Sequence, residues 1–178
     1  MRLKKLYQKK ILPKLKEEFS LKNNFLAPRL DKVVINVGFG RHNKDKVYID
    51  SVGKSLTSIT GQKPIFTKAK KSISAFKIRE GMTIGAVVTL RGDQMYDFVE
   101  KLVNVSFPRV RDFRGVSTKS VDQLGNINIG FRDNLSFPEI SPEMSENSHG
   151  LEISISTTAK NKEQGLKLFK LMGFPLKK

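Results

Sequence analysis

The sequence predicts a single domain that combines helices with a β-sheet, and three observations carry that reading. Apolar residues recur every fourth position in some stretches and every second position in others, so the chain holds both helical and strand periods. A length of 178 residues suits one ordinary domain, which hides about 70% of its unfolded surface and so has a real core. Uninterrupted apolar runs stop at three residues, as in Ala86-Val87-Val88, far short of the roughly 20 that span a bilayer.

Leu3, Tyr7, Ile11, Leu15 and Phe19 form the stripe of an amphipathic helix with a Lys-rich opposite face, and Pro13 predicts a kink or restart within it. Val33, Ile35 and Val37 alternate with Val34, Asn36 and Gly38 as a strand that ends in the Gly38-Phe39-Gly40 turn. Tyr48, Val52, Leu56 and Ile59 return to helical spacing, and Gly61 stops that helix. Ile65 to Lys68, Ile73 to Ile78 and Ile84 to Arg91 read as extended segments. Gly92-Asp93 is placed to cap a helix from about Gln94 to Asn104, with Met95, Phe98, Val99 and Leu102 on its buried face. From Pro108 to Pro142, Gly, Asn, Asp and Pro are frequent, and only Ile127 and Ile129 alternate, which predicts a long excursion from the core. Ile153, Ile155 and Thr157 mark a last strand, and Leu168, Leu171 and Met172 a last helix closed by Gly173.

Charge narrows the function. The net charge of +16 and a pI near 10.1 call for an extended anionic partner, nucleic acid first. The excess is uneven: residues 1–22 hold eight basic and two acidic groups, Lys63 to Arg79 six basic and none acidic, and Asp133 to Ala159 five acidic and no Lys or Arg. One region should seek phosphate and another avoid it. If helices cover the aliphatic side of the sheet, Asn36, Thr89 and Arg91 fall on an open polar face, where they suit RNA sugars, base edges and phosphates. The same alternation fits strand residues that merely face solvent.

Several segments identify a family by resemblance. Thr60-Gly61-Gln62-Lys63-Pro64, Thr67-Lys68-Ala69-Lys70-Lys71-Ser72, Phe76-Lys77-Ile78-Arg79-Glu80-Gly81 and Ile84-Gly85 resemble the family of large-subunit ribosomal protein five, which binds 5S ribosomal RNA. The likeness continues through Thr89-Leu90-Arg91-Gly92, Pro108-Arg109-Val110-Arg111-Asp112-Phe113-Arg114-Gly115, Gly125-Asn126, Phe137-Pro138-Glu139-Ile140, Thr157-Thr158-Ala159 and Phe174-Pro175. It covers almost the whole chain in order.

The resemblance implies an α+β fold: one domain over residues 1–178, a curved, mainly antiparallel sheet, helices on one face and an open RNA-binding face on the other. It places 5S rRNA contacts at Asn36, Gln62, Lys63, Thr67, Lys68, Thr89 and Arg91. It implies that a basic loop of about residues 68–85, with Lys70, Lys71, Ser72, Lys77 and Arg79, is mobile and reaches peptidyl-site transfer RNA. The same lysines also fit contact with ribosomal RNA alone. A bridge to a basic protein of the small-subunit head is implied for the excursion of about residues 108–142, through Arg109, Arg111, Asp112, Arg114, Asp133 and Glu143. The implied partners are thus 5S rRNA, large-subunit rRNA, peptidyl-site tRNA, the small-subunit head protein and other large-subunit proteins, in a ribosome of bacterial cytoplasm or an organelle.

Enzymatic readings find little support. Zero cysteines removes disulfides, Cys-ligated zinc and thiol nucleophiles. Gly38-x-Gly40 lacks the third glycine of a dinucleotide fingerprint, Asn43 standing in its place, and Gly53-Lys54-Ser55 lies inside a predicted helix without the upstream glycine of a phosphate loop. His42 and His149 have no ligand pattern around them, and Glu17-Glu18 and Glu143 with Glu146 read as solvated carboxylates. No catalysis, metal or cofactor is expected. Nothing reads as a secretory signal, and Met1 to Lys10, although as basic as an organelle address, lacks a small-residue cleavage stretch. Two further classes stand beside the ribosomal one: a generic cationic RNA binder, which would show steep salt dependence and no preference among RNAs, and a membrane-surface protein, for which only the amino-terminal helix is suited.

Overall fold

The computed structural model describes residues 2–42, 45–140 and 148–177. The amino-terminal segment consists of α1 (Arg2–Leu6), a π-turn (Tyr7–Ile11) and α2 (Leu12–Glu18). Four residues advance about 400° on an α-helix, so a strict four-residue stripe drifts by about 40° per step. The wider π-turn offsets that drift, and Leu3, Tyr7, Ile11 and Leu15 all end buried. It also accommodates Pro13. The Leu12 amide donates to the Tyr7 carbonyl, five residues back, and the proline then occupies the first turn of α2, where a missing N–H costs little.

β1 (Leu30–Gly38) follows, then α3 (Lys46–Thr60), which the Asp45 carboxylate caps at the Tyr48 amide and which Gly61 ends in the left-handed region at φ +71°. β2 (Ile65–Lys68) and β3 (Thr83–Leu90) form an antiparallel pair. α4 (Gly92–Lys101) starts two residues earlier than expected. Its N-cap residue is Arg91, without a side-chain cap bond, so Gly92-Asp93 lie inside the first turn rather than capping it. A second π-turn (Leu102–Ser106) leads into α5 (Phe107–Arg109) and repeats the arrangement at Pro13: the Phe107 amide donates to the Leu102 carbonyl just before Pro108.

The excursion expected over residues 108–142 is more structured than its composition suggests. It holds β4 (Val116–Ser117) and β5 (Ile127–Phe131), and β5 is a strand of the main sheet. β6 (Leu151–Thr157), α6 (Lys162–Leu171) and β7 (Leu176–Lys177) complete the chain, β7 pairing in parallel with β4. The main sheet is open and mainly antiparallel, in the order β2-β3-β1-β6-β5. The fold is therefore α+β.

The residues gather into two compact units. The first comprises Met1–Val33, Leu90–Ile129 and Ser154–Lys178. Its core includes Leu15, Val33, Leu90, Val99, Leu102, Ile127, Ile155 and Leu168, together with a ring cluster in which Phe174 meets Phe107 and Phe169 edge-on at 6.0 and 5.0 Å. The amino-terminal segment is fastened to α4 in this unit. The Leu3 amide donates to Glu100 at 2.9 Å, Lys4 pairs with Asp93, and the Tyr7 hydroxyl donates to the Pro28 carbonyl at 3.0 Å. Burial, with smaller contributions from Tyr96 upward and Arg29 downward, pushes the Tyr7 phenol up to about 12. α6 meets the turn before β5 through two glycines: a Cβ on Gly165 would lie 2.4 Å from the Gly125 Cα.

The second unit comprises Val34–Thr89 and Gly130–Ile153. Ile35, Val37, Val52, Leu56, Ile59, Ala86, Val88 and Ile153 are almost wholly buried in it, each of the larger apolar side chains contributing about 1.5 to 3 kcal/mol. Gly53 of α3 sits on the Phe66 ring, where a Cβ would lie 3.1 Å from the ring edge, so α3 covers the sheet face that carries Phe66 and its partner Ala86.

Candidate nucleic-acid interface

The opposite face of β2, β3 and β1 in the second unit is uncovered. Register pairs Ile65 with Val87 and Thr67 with Gly85 across β2 and β3, and alternation adds Thr89 on β3 and Asn36 and Gly38 on β1. Asn36 and Thr89 are exposed, and neither side chain has a hydrogen-bond partner among the described residues. Their donors and acceptors are available to a ligand.

Gly85 keeps this face shallow. A Cβ there would meet the Thr67 hydroxyl at 2.8 Å and the Val37 carbonyl at 3.0 Å, so only glycine lets the three strands close up. Gly38 has nothing within 4 Å of a Cβ position, leaving open space at the end of β1. The resulting surface has a low centre flanked by an amide, two hydroxyls and half-exposed Val34 and Val87, suited to a sugar-phosphate strand lying close to backbone. Gln62 and Lys63 are exposed just after α3, where the Thr60 hydroxyl donates to the Leu56 carbonyl at 2.6 Å and accepts the Gln62 amide at 3.2 Å. Lys68 is exposed and Thr67 half-buried.

Arg91 belongs to the first unit. Its exposed guanidinium lies 3.5 Å from the Asp31 carboxylate, a partner sixty residues away that periodicity does not announce.

The basic loop of about residues 68–85 is a hydrogen-bonded hairpin. The ladder runs past the strands: Ala69 donates to Met82 at 2.8 Å, Gly81 to Ala69 at 2.9 Å, and Ile73 and Ile78 exchange both amide bonds. Ile73 to Ile78 is not a continuous extended segment. A 3₁₀ turn, Ser74–Phe76, reverses the chain, and Lys77 follows with a left-handed φ of +53°. The Ser72 hydroxyl accepts the Glu80 amide at 2.9 Å, so Ser72 is partly engaged in the fold. Lys70, Lys71, Lys77 and Arg79 are all exposed on this scaffold. So is Phe76, with 70% of its surface free, and this aromatic tip among cations is absent from the sequence-based candidates although its spacing from Lys71 and Lys77 makes it readable.

Arg109 ends α5, and Arg111, Asp112 and Arg114 follow it on a loop of the first unit, all four exposed. Phe113 stacks on Phe107 at 5.1 Å, and Asp112 turns the chain with a φ of +54°, so the loop is pinned at one ring and holds its arginines around it. Asp133 lies in the second unit, where its carboxylate accepts the Leu135 amide at 3.2 Å. Glu143 and Glu146 lie outside the described residues. His149 is buried in the second unit, and burial, partly opposed by its contact with the Gly150 carbonyl, pushes its pKa down. The His42 ring lies tilted beside that of Tyr48, centroids 4.6 Å apart. Among the described residues no His, Asp or Glu cluster could hold a metal, and no helix is long and apolar enough to cross a membrane.

The family model for ribosomal protein L5 matches residues 23–79, and the model for the C-terminus of the same ribosomal family matches residues 83–176. The chain is similar to large ribosomal subunit protein uL5 of Halothermothrix orenii, 54% identical over 95% of this chain and 94% of the relative. It is also similar to uL5 of Francisella tularensis subsp. mediasiatica and subsp. novicida, each 51% identical over 99% of this chain and 98% of the relative.

Proposed function

The chain belongs to the ribosomal protein L5 family, a structural component of the large ribosomal subunit and not an enzyme, and on that premise we propose that it binds 5S rRNA through the open face of β2, β3 and β1. One observation carries the reading: Asn36 and Thr89 stand exposed beside a glycine-lined depression, and neither side chain has a partner among the described residues. Buried or internally satisfied side chains would have left no chemistry for a ligand. Gln62, Lys63, Thr67 and Lys68 extend the same unit toward phosphate, and Arg91 supplies a fork of donors to a phosphate or a guanine edge.

The hairpin contacts peptidyl-site tRNA in this proposal, its ladder presenting Lys70, Lys71, Lys77 and Arg79 in a fixed array to a backbone that comes and goes. The arginine loop, with Asp133 and Glu143, makes the bridge toward a basic protein of the small-subunit head. The site of action is a ribosome, and the bacterial origin of the relatives favours a bacterial one over an organelle.

Competition tests the central part. Labelled 5S rRNA bound to the intact chain should resist a roughly hundredfold excess of unrelated duplex RNA. Displacement in proportion to competitor phosphate would instead describe a generic cationic binder.

A further inference from the structure

We propose that the amino-terminal segment and the turn after it form a second RNA-binding surface, on which a lysine ridge neutralises phosphates of large-subunit rRNA while Phe25 stacks on an unpaired base. The inference rests on the chain's place in the large subunit and not on the sheet face.

The segment from α1 through α2 is anchored on one side only. Leu3, Tyr7, Ile11 and Leu15 are buried, and the bonds to Glu100 and Asp93 fix its first turn. Outward stand Lys5, Lys9, Lys10, Lys14 and Lys16, all exposed, none with an acidic partner among the described residues. Lys5 with Lys9, and Lys10 with Lys14, are four residues apart, a spacing at which like charges repel. A polyanion relieves that repulsion. From Lys5 to Lys16 the ridge extends roughly 16 Å at helical rise, room for several phosphates.

The second observation is independent of charge. In the first unit Phe25 is 82% exposed and Leu26 49%, on a 3₁₀ turn whose start Asn23 caps by accepting the Phe25 amide at 3.1 Å. A single exposed apolar residue is ordinary. An exposed phenyl ring on a capped turn, in the same unit as a cationic ridge without acidic partners among the described residues, has the composition of a single-strand RNA platform, cations for the backbone and a ring for a base. A protein partner fits less well, because lysine is depleted at protein interfaces.

The test uses the full chain with two transcripts, large-subunit rRNA and 5S rRNA. The triple variant Lys5→Gln, Lys9→Gln, Lys14→Gln should weaken binding to the large-subunit transcript and flatten its log-log salt dependence by about 2 to 3, given about 0.7 to 0.9 per phosphate contact. Phe25→Ala should weaken it roughly 5- to 150-fold with the salt slope unchanged. Both variants should keep the wild-type melting temperature and 5S affinity. An unchanged salt slope in the triple variant, unchanged affinity in Phe25→Ala, or an equal loss of 5S binding would overturn the proposal. Displacement of the large-subunit transcript by polyaspartate as readily as by RNA would overturn it too, assigning the ridge to an acidic protein instead.

Discussion

Replacing Arg91 with alanine should separate RNA affinity from stability. In the free chain Arg91 meets only Asp31 among the described residues, 3.5 Å away, and the two side chains are 60% and 47% exposed. At that distance the attraction in water is about 1 kcal/mol before salt screening and side-chain entropy reduce it, and exposed pairs of this kind net about 0 to 1 kcal/mol. Arg91→Ala should therefore leave the urea midpoint almost unchanged. A lost charge-assisted contact with RNA costs about 1 to 3 kcal/mol, or roughly 5- to 150-fold in Kd for 5S rRNA. Asp31 competes with phosphate for the same guanidinium. Asp31→Asn should thus tighten 5S binding by up to about fivefold, and should do nothing in an Arg91→Ala background. Filter binding of labelled 5S rRNA to the four proteins, with urea melts alongside, completes the cycle. Unchanged affinity in a folded Arg91→Ala variant would remove Arg91 from the interface.

Other consequences are as specific. Gly165→Ala would drive a methyl to within 2.4 Å of the Gly125 Cα and displace a turn whose carbonyl accepts the Thr157 hydroxyl at 2.9 Å. Overpacking and strained bonds, less about 1 kcal/mol of improved helix propensity, give a net loss of about 2 to 4 kcal/mol and a melting temperature lower by roughly 4 to 16 °C, readable by calorimetry. Tyr7→Phe should cost about 1 to 2 kcal/mol at neutral pH by orphaning the Pro28 carbonyl. Because the folded phenol is pushed up to about 12 from the ordinary tyrosine value of 10.0, the unfolded chain releases its proton first. Wild-type stability should fall as pH rises from about 10 to 12, by more than that of the Phe variant in parallel urea titrations. Charge reversal at Lys71 and Lys77 should erase the hairpin's hydroxyl-radical footprint on peptidyl-site tRNA, and an identical footprint would refute that contact.

Local signals were readable wherever the fold is decided locally. The two-residue period at Val33, Ile35 and Val37, the stop at Gly61 and the strand at Ile65 to Lys68 all stand where alternation and glycine chemistry place them. Asn36 and Thr89 emerge on an uncovered face for the same reason, a period of two seen against buried neighbours. What stayed hidden depends on distant residues or on short elements. β7 has two residues and exists only because β4 lies beside it, and β5 joins the main sheet although its flanks are rich in Gly, Asn and Asp. The π-turns before Pro13 and Pro108 are accommodations that a proline demands without naming their form. Ile73 to Ile78 reads as extended because both ends are aliphatic, yet Ser74–Phe76 folds back so that those ends can bond to each other. The Asp31 partner of Arg91 is a tertiary meeting, invisible to spacing.

Whether the open face holds RNA is decided by one titration. Asn36→Ala combined with Thr89→Ala removes two exposed side chains that have no partner among the described residues, so folding should be untouched. Binding of 5S rRNA by the folded double variant should weaken at least about tenfold, two lost hydrogen bonds at roughly 1 kcal/mol each, while binding to unrelated duplex RNA stays as it was. Wild-type affinity for 5S rRNA in that variant would mean that the RNA lies elsewhere on the protein.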